Sequence, residues 1–186
     1  MQHVAHKRSD SGDWVNANDW IMTSTGRKVR PLALRAEDVC IKDIAHALAL
    51  KCRYGGHCRE FYSVAQHSVL VSRYVPQQHA LWGLLHDAEE AYLADIPRPV
   101  KPRLKEWPVI AAKVQAVICH RFKLDEVEPA EVKAIDTAIL YDEMKVLMPP
   151  ADWGRTDGLG LGINIYPASP ITAESQFLSR FQELTT

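Results

Sequence analysis

Residues Leu84–Lys101 read LLHDAEEAYLADIPRPVK, placing four acidic residues and a histidine between positions 86 and 95 before a proline-rich turn closes the run. Charged helix faces are usually just solvated. The residue order argues against that here, because His86 and Asp87 directly follow the apolar run ALWGLL and so fall where a helix is still packed. Burying a charge without a partner is costly, so something must compensate these side chains.

The pattern on either side predicts helices. Upstream, YSVAQHSVLVSRYV reads as one, with Ser63 as N-cap and Pro76 as the stop, and the next runs from Gln77 to Leu93. Earlier still, EDVCIKDIAHALALKC repeats apolar residues at Val39, Ile41, Ile44, Ala45, Leu48 and Ala49, and Gly55-Gly56 closes that segment. Downstream, WPVIAAKVQAVICHRF carries Pro108 in its first turn, EPAEVKAIDTAILYDEMKVLM begins with Pro129 and ends at Pro149-Pro150, and TAESQFLSRFQEL is the last helix. WIMTSTGRKVRPL is hairpin-like, with a turn at Thr25-Gly26 and an end at Pro31. ADWGRTDGLGLGINIYPASP reads as a long loop. The class is therefore all-α, about six helices behind a short irregular or hairpin segment.

A chain of 186 residues fits one domain, residues 1–186, large enough to bury a core. Its 47% hydrophobic and 24% charged residues are ordinary for a soluble globule, and no apolar run nears the roughly 20 residues that span a bilayer. The opening residues lack the apolar stretch of a signal peptide, so the expected location is cytoplasmic, with His3 and His6 as tail residues. Cys40, Cys52, Cys58 and Cys119 lack metal-finger spacing, and CRYGGHC is too irregular for structural zinc. A net charge of −1 with scattered basic residues argues against stable nucleic-acid binding.

Three helices each contribute ligand-type residues in apolar surroundings: His67, then His86-Asp87, then Asp136. Each alone reads as a satisfied core residue. Together, two imidazoles and two carboxylates suit one divalent ion, drawn from Mn, Co, Zn, Fe or Mg. Such an ion would neutralise the carboxylates and explain their place inside apolar helices. His46, His57, His79 and His120 read as packing or surface residues, Glu89 as solvent-facing, and Trp82, Leu84 and Leu85 as core. Trp107 and Trp153 stay open between roles.

The order His67, His86-Asp87, Asp136 resembles the signature of HD-domain metal-dependent phosphohydrolases. The segment from His86 to Lys101 is similar to that of small bacterial HD 5′-deoxynucleotidases, with a Glu three after the HD pair, an Asp five beyond it, and a Pro-x-Pro-Val-Lys turn. Arg53-Tyr54, fourteen positions before His67, belongs to the same pattern, and the likeness covers residues 41–147. Small phage HD enzymes that hydrolyse deoxynucleoside triphosphates share the ligand order.

The resemblance implies a metal held by His67, His86, Asp87 and Asp136, with Glu90 and Asp95 as the acid and base. Substrate contacts are implied at Arg53, Tyr54, His67, Asp87, Asp95, Ile96, Pro97, Arg98, Lys101, Lys133 and Asp136. Tyr54 stands where those nucleotidases carry Trp, which leaves base and sugar preference open, and Arg98 replaces a small polar residue. The implied reaction removes the 5′-phosphate of deoxynucleoside monophosphates with a metal-activated water, in a homo-oligomer. Triphosphate release from deoxynucleoside triphosphates is the alternative, and a non-catalytic nucleotide-binding module is the reading from another class.

Overall fold

A computed structural model describes residues 19–151 and 160–186. His3, His6 and Trp153 lie outside the described residues. Among those described there are six α-helices and one two-stranded sheet. The strands β1 (Ile21–Met22) and β2 (Lys28–Val29) pair antiparallel around the expected turn, where Gly26 takes a φ of 79°. The helices are α1 (Ile41–Leu50), α2 (Val64–Tyr74), α3 (Ala80–Leu85), α4 (Trp107–Phe122), α5 (Ala130–Leu147) and α6 (Pro170–Thr185). Residues 160–169 form no regular element, in keeping with the expected loop.

Sequence signals place several helix ends, but Gly55-Gly56 do not close α1, which ends at Leu50, and belong to the separate 3-10 turn Arg53–Gly56. The Ser63 side chain accepts from the Gln66 backbone N–H at the start of α2, and Ser169 does the same for Thr172 ahead of Pro170. Lys123 closes α4 in the left-handed conformation, φ 58°.

The centre of the bundle is α2, which packs against α1, α3, α5 and α6. Its buried set is mixed, with Val64, Ala65, Val69 and Val71 beside Gln66, His67, Ser68 and Ser72. A helix enclosed this fully must satisfy its polar groups inside the protein. Ser72 donates to the Ala80 carbonyl at 2.8 Å, and the Gln66 amide donates to the Tyr166 carbonyl while accepting from Ala168 N–H. Ala173 and Phe177 bring α6 into the same core, and His46 of α1 meets Glu174 of α6 at 3.0 Å in a half-buried contact outside it.

Close approach between α2 and α3 rests on Gly83. A Cβ there would stand 3.1 Å from Val75 Cγ2 and 3.2 Å from Ser72 Cα. That approach brings the His86 ring alongside that of His67, their centroids 5.2 Å apart.

One expectation fails. The span Gln77–Leu93 is not one helix: 3-10 turns at Gln77–His79 and Ala88–Ala91 flank α3, which stops at Leu85. Neither Gly nor Pro marks that stop, and the cause is tertiary. Gln115 of α4 donates its side-chain amide to the Leu85 carbonyl at 2.9 Å, and Lys51 at the end of α1 donates to the Glu90 carbonyl. Backbone groups released by ending the helix are thus taken up by its neighbours. Glu90 therefore does not continue the helix that leads to His86 but sits in the 3-10 turn.

Candidate metal centre

His67 comes from the middle of α2, His86 from the end of α3, Asp87 from the break beyond it and Asp136 from α5. Ligand atoms of His67, His86 and Asp87 all lie within 4.8 Å of one another. Asp136 joins them, its Oδ1 3.2 Å from His67 Nε2. The break after Leu85 lets two adjacent residues serve one point: Asp87, at φ −106° and ψ 20°, has left the helical path, and its Oδ2 stands 3.2 Å from His86 Nε2.

Hydrogen bonds orient both imidazoles. His86 Nδ1 is 2.9 Å from the Gly83 carbonyl, which can only accept, so Nδ1 carries the proton. His67 Nδ1 lies 2.7 Å from Glu143 Oε1 and donates to that carboxylate. In the neutral imidazoles both Nε2 atoms are then lone-pair donors turned toward Asp87 and Asp136, and both are buried without a hydrogen-bond partner. Lone pairs facing carboxylates repel unless a cation or a proton comes between them. This donor set could hold a metal ion.

The charges point the same way. Burial alone would lower the His86 pKa, yet Asp87 and Asp136 raise it to about 9. Burial would likewise raise Asp136, but its close contact with His67, together with His86 and Lys133, holds it far below the carboxylate range. Asp87 is also held low against its burial, chiefly by His86.

Glu143, fully buried, is the principal residue that sequence reasoning missed. Besides His67 it takes Arg53 Nη2 at 3.0 Å and the Tyr54 hydroxyl at 3.0 Å. Burial opposes its ionisation, but Arg53 and His67 bring its pKa down to about 2. The available signal was its position seven residues after Asp136, two turns along α5 on nearly the same face. Lys51 was missed as well; burial lowers its pKa, opposed by Glu90, Asp95 and Glu89.

The remaining expected residues divide into two groups. Arg53 Nη1 reaches to 3.9 Å from Asp87 Oδ2, and Lys133 Nζ lies 2.7 Å from Asp136 Oδ2, so both border the cluster. Tyr54 reaches Glu143 with its hydroxyl. Glu90 is 3% exposed, with Oε2 buried and unpartnered and Oε1 3.6 Å from Lys101 Nζ. Burial, with Asp87, Asp95 and Glu89 adding to it, pushes its pKa up to about 9. Asp95 and Ile96 are half-buried, while Pro97 and Arg98 are exposed in the turn whose Pro97 carbonyl accepts from Val100 and Lys101 N–H. Glu89 is a correction: it does not face solvent, since its Oε2 is buried and its carboxylate oxygen lies within 4.8 Å of those of Asp87 and Glu90. The 3-10 winding of Ala88–Ala91 turns it inward relative to an α-helix.

Fold and site define a helical bundle with an internal His/Asp cluster suited to a metal ion, and no helix among the described residues is long and apolar enough to cross a membrane. No family model matches the chain. It belongs to the family of the uncharacterized protein YfdR of Escherichia coli (strain K12), to which it is 36% identical over 170 residues, 89% of this chain and 96% of that protein. It is also 35% identical over 124 residues to the uncharacterized protein RCAP_rcc00048 of Rhodobacter capsulatus, covering 61% of this chain and 63% of that one.

Proposed function

We propose that the protein is an HD-domain metal-dependent phosphohydrolase that removes the 5′-phosphate of deoxynucleoside monophosphates. The observation supporting this is the meeting of two buried, unpartnered imidazole Nε2 atoms with the carboxylates of Asp87 and Asp136. His67, His86, Asp87 and Asp136 would hold the ion, one of Mn, Co, Zn, Fe or Mg. When bound, it supplies Lewis acidity to a phosphate oxygen and to the attacking water.

The chain's own residues do the rest. Arg53, anchored on Glu143 and bordering Asp87, offers a guanidinium to the phosphate, and Lys101 and Lys133 add positive charge at the rim. Glu90 orients the attacking water, and takes its proton where its own carboxyl is ionised. Asp95, close enough to raise Glu90's pKa, positions the substrate or protonates the leaving 5′-oxygen. The water oxygen bonds to phosphorus as the bond to the 5′-oxygen breaks, giving nucleoside and phosphate.

A second reading, release of triphosphate from deoxynucleoside triphosphates, draws on Arg98. Its charge opposes that of Lys133, and added positive charge on this side of the site would favour a longer phosphate chain.

Metal-stripped protein incubated with each deoxynucleoside mono-, di- and triphosphate and each ion separates these readings by ion-exchange analysis of products. Phosphate from monophosphates is the expected result, and intact triphosphate plus nucleoside would transfer the assignment to the second reading. Metal uptake with no turnover of any substrate would overturn both and leave a nucleotide-binding module.

A further inference from the structure

The tight turn ahead of α2 holds two thiols face to face. Cys52 Sγ and Cys58 Sγ are 3.3 Å apart, so about 1.3 Å of closure separates them from the bonded distance near 2.0 Å. Backbone contacts hold both ends of the turn: Cys52 bridges Ser63, Arg53 N–H donates to the Tyr62 carbonyl at 2.8 Å, and Arg59 N–H donates to the Leu147 carbonyl at 2.8 Å. Between them Tyr54, Gly55 and Gly56 take φ values of 56°, 61° and 79°, which return the chain on itself within a few residues. Their juxtaposition is therefore built by the fold.

We propose that Cys52 and Cys58 form a modification site, a dithiol that small disulfides such as glutathione disulfide oxidise to an intramolecular disulfide. Both residues are half-buried, which leaves them open to a small reagent, whereas Cys119 is fully buried. Burial and the hydrogen bond shared with Cys52 raise the Cys58 thiol, which makes Cys58 the resolving partner. Cys52, as thiolate, attacks glutathione disulfide and releases one glutathione. Cys58 then loses its proton and attacks the Cys52 sulfur, releasing the second. Two protein thiols lose two electrons and two protons, and one glutathione disulfide becomes two glutathiones. The product clamps the turn that carries Arg53 and Tyr54.

The test equilibrates the full chain in glutathione buffers from reducing to oxidising, quenches with acid, alkylates and maps the peptides. The expected product is a Cys52–Cys58 cross-link, two hydrogens lighter than the dithiol, with Cys40 and Cys119 alkylated. Oxidation is expected to raise Tm by roughly 5 °C in wild type and in Cys40→Ser, through the restrained unfolded chain, and to leave Tm unchanged in Cys52→Ser and Cys58→Ser. Four alkylated cysteines in the oxidising buffer, or glutathione persisting on Cys52 without resolution, would overturn the proposal. None of these outcomes depends on turnover or on metal.

Discussion

At the residue scale, Glu143 connects the parts of the site that the sequence leaves separate. It fixes the His67 tautomer through Nδ1 and holds Arg53 and Tyr54 by the same carboxylate. Glu143→Gln keeps the shape but removes the charge, leaving Arg53 with a neutral partner. The expected cost is about 3–5 kcal/mol of stability, because breaking a buried ion pair leaves a charge uncompensated. Under the proposed metal reading, affinity measured by titration calorimetry should fall about 10–100-fold, as it does when a partner of a ligating histidine is lost. Affinity equal to wild type would remove the orienting role. His67, His86, Asp87 and Asp136 were legible because a ligand-type residue stands out in an apolar helix. Glu143 was not, because its partners Arg53, Tyr54 and His67 lie 76 or more positions away and its two-turn spacing from Asp136 does not by itself separate it from a surface glutamate.

At the element scale, helix starts with a Ser cap or an early Pro were readable in α2 and α4, whereas α6 starts at Pro170, two residues before the expected Thr172. The end of α3 was not, because its stop depends on Gln115 and Lys51 from other helices rather than on a local breaker. The hairpin shows the same dependence: only two residue pairs join its strands, and its turn is held by Asp43 of α1. Asp43, 3% exposed, accepts from Ser24 Oγ at 2.7 Å, Thr25 N–H at 2.8 Å and Thr25 Oγ1 at 2.8 Å. Burial works against the charged form, but these donors together lower its pKa below the usual value. A carboxylate held low when folded adds stability above its unfolded pKa, near 3.9, and that contribution disappears as pH falls through the lower folded value. Asp43→Asn should therefore lower Tm by about 4 °C at pH 7, and the gap should narrow at pH 3. A gap that stays constant over this range would mean that the charge of Asp43 contributes nothing to holding the hairpin.

For the whole molecule, the candidate ligands come from α2, from the end of α3 and its following turn, and from α5, so an ion held among them would tie together segments up to 69 residues apart. The unfolded chain cannot reproduce that arrangement. Under the proposed metal reading, an ion that binds only the folded state stabilises it by about 2.7 kcal/mol at one hundred times its dissociation constant. For a chain of this size that corresponds to a rise of roughly 5–10 °C in Tm, dependent on ion concentration and reversed by a chelator. Asp136→Asn should lose most of the rise, since it removes one ligand charge and leaves His67 Nε2 facing an amide. Glu90→Gln should keep it while losing turnover, because Glu90 is assigned to the water rather than to the ion. Scanning calorimetry of metal-stripped protein with Mn, Co, Zn, Fe or Mg makes this comparison directly. A Tm indifferent to all five ions would remove the metal, leaving His86 to balance the carboxylates as a protonated imidazole, its pKa raised to about 9.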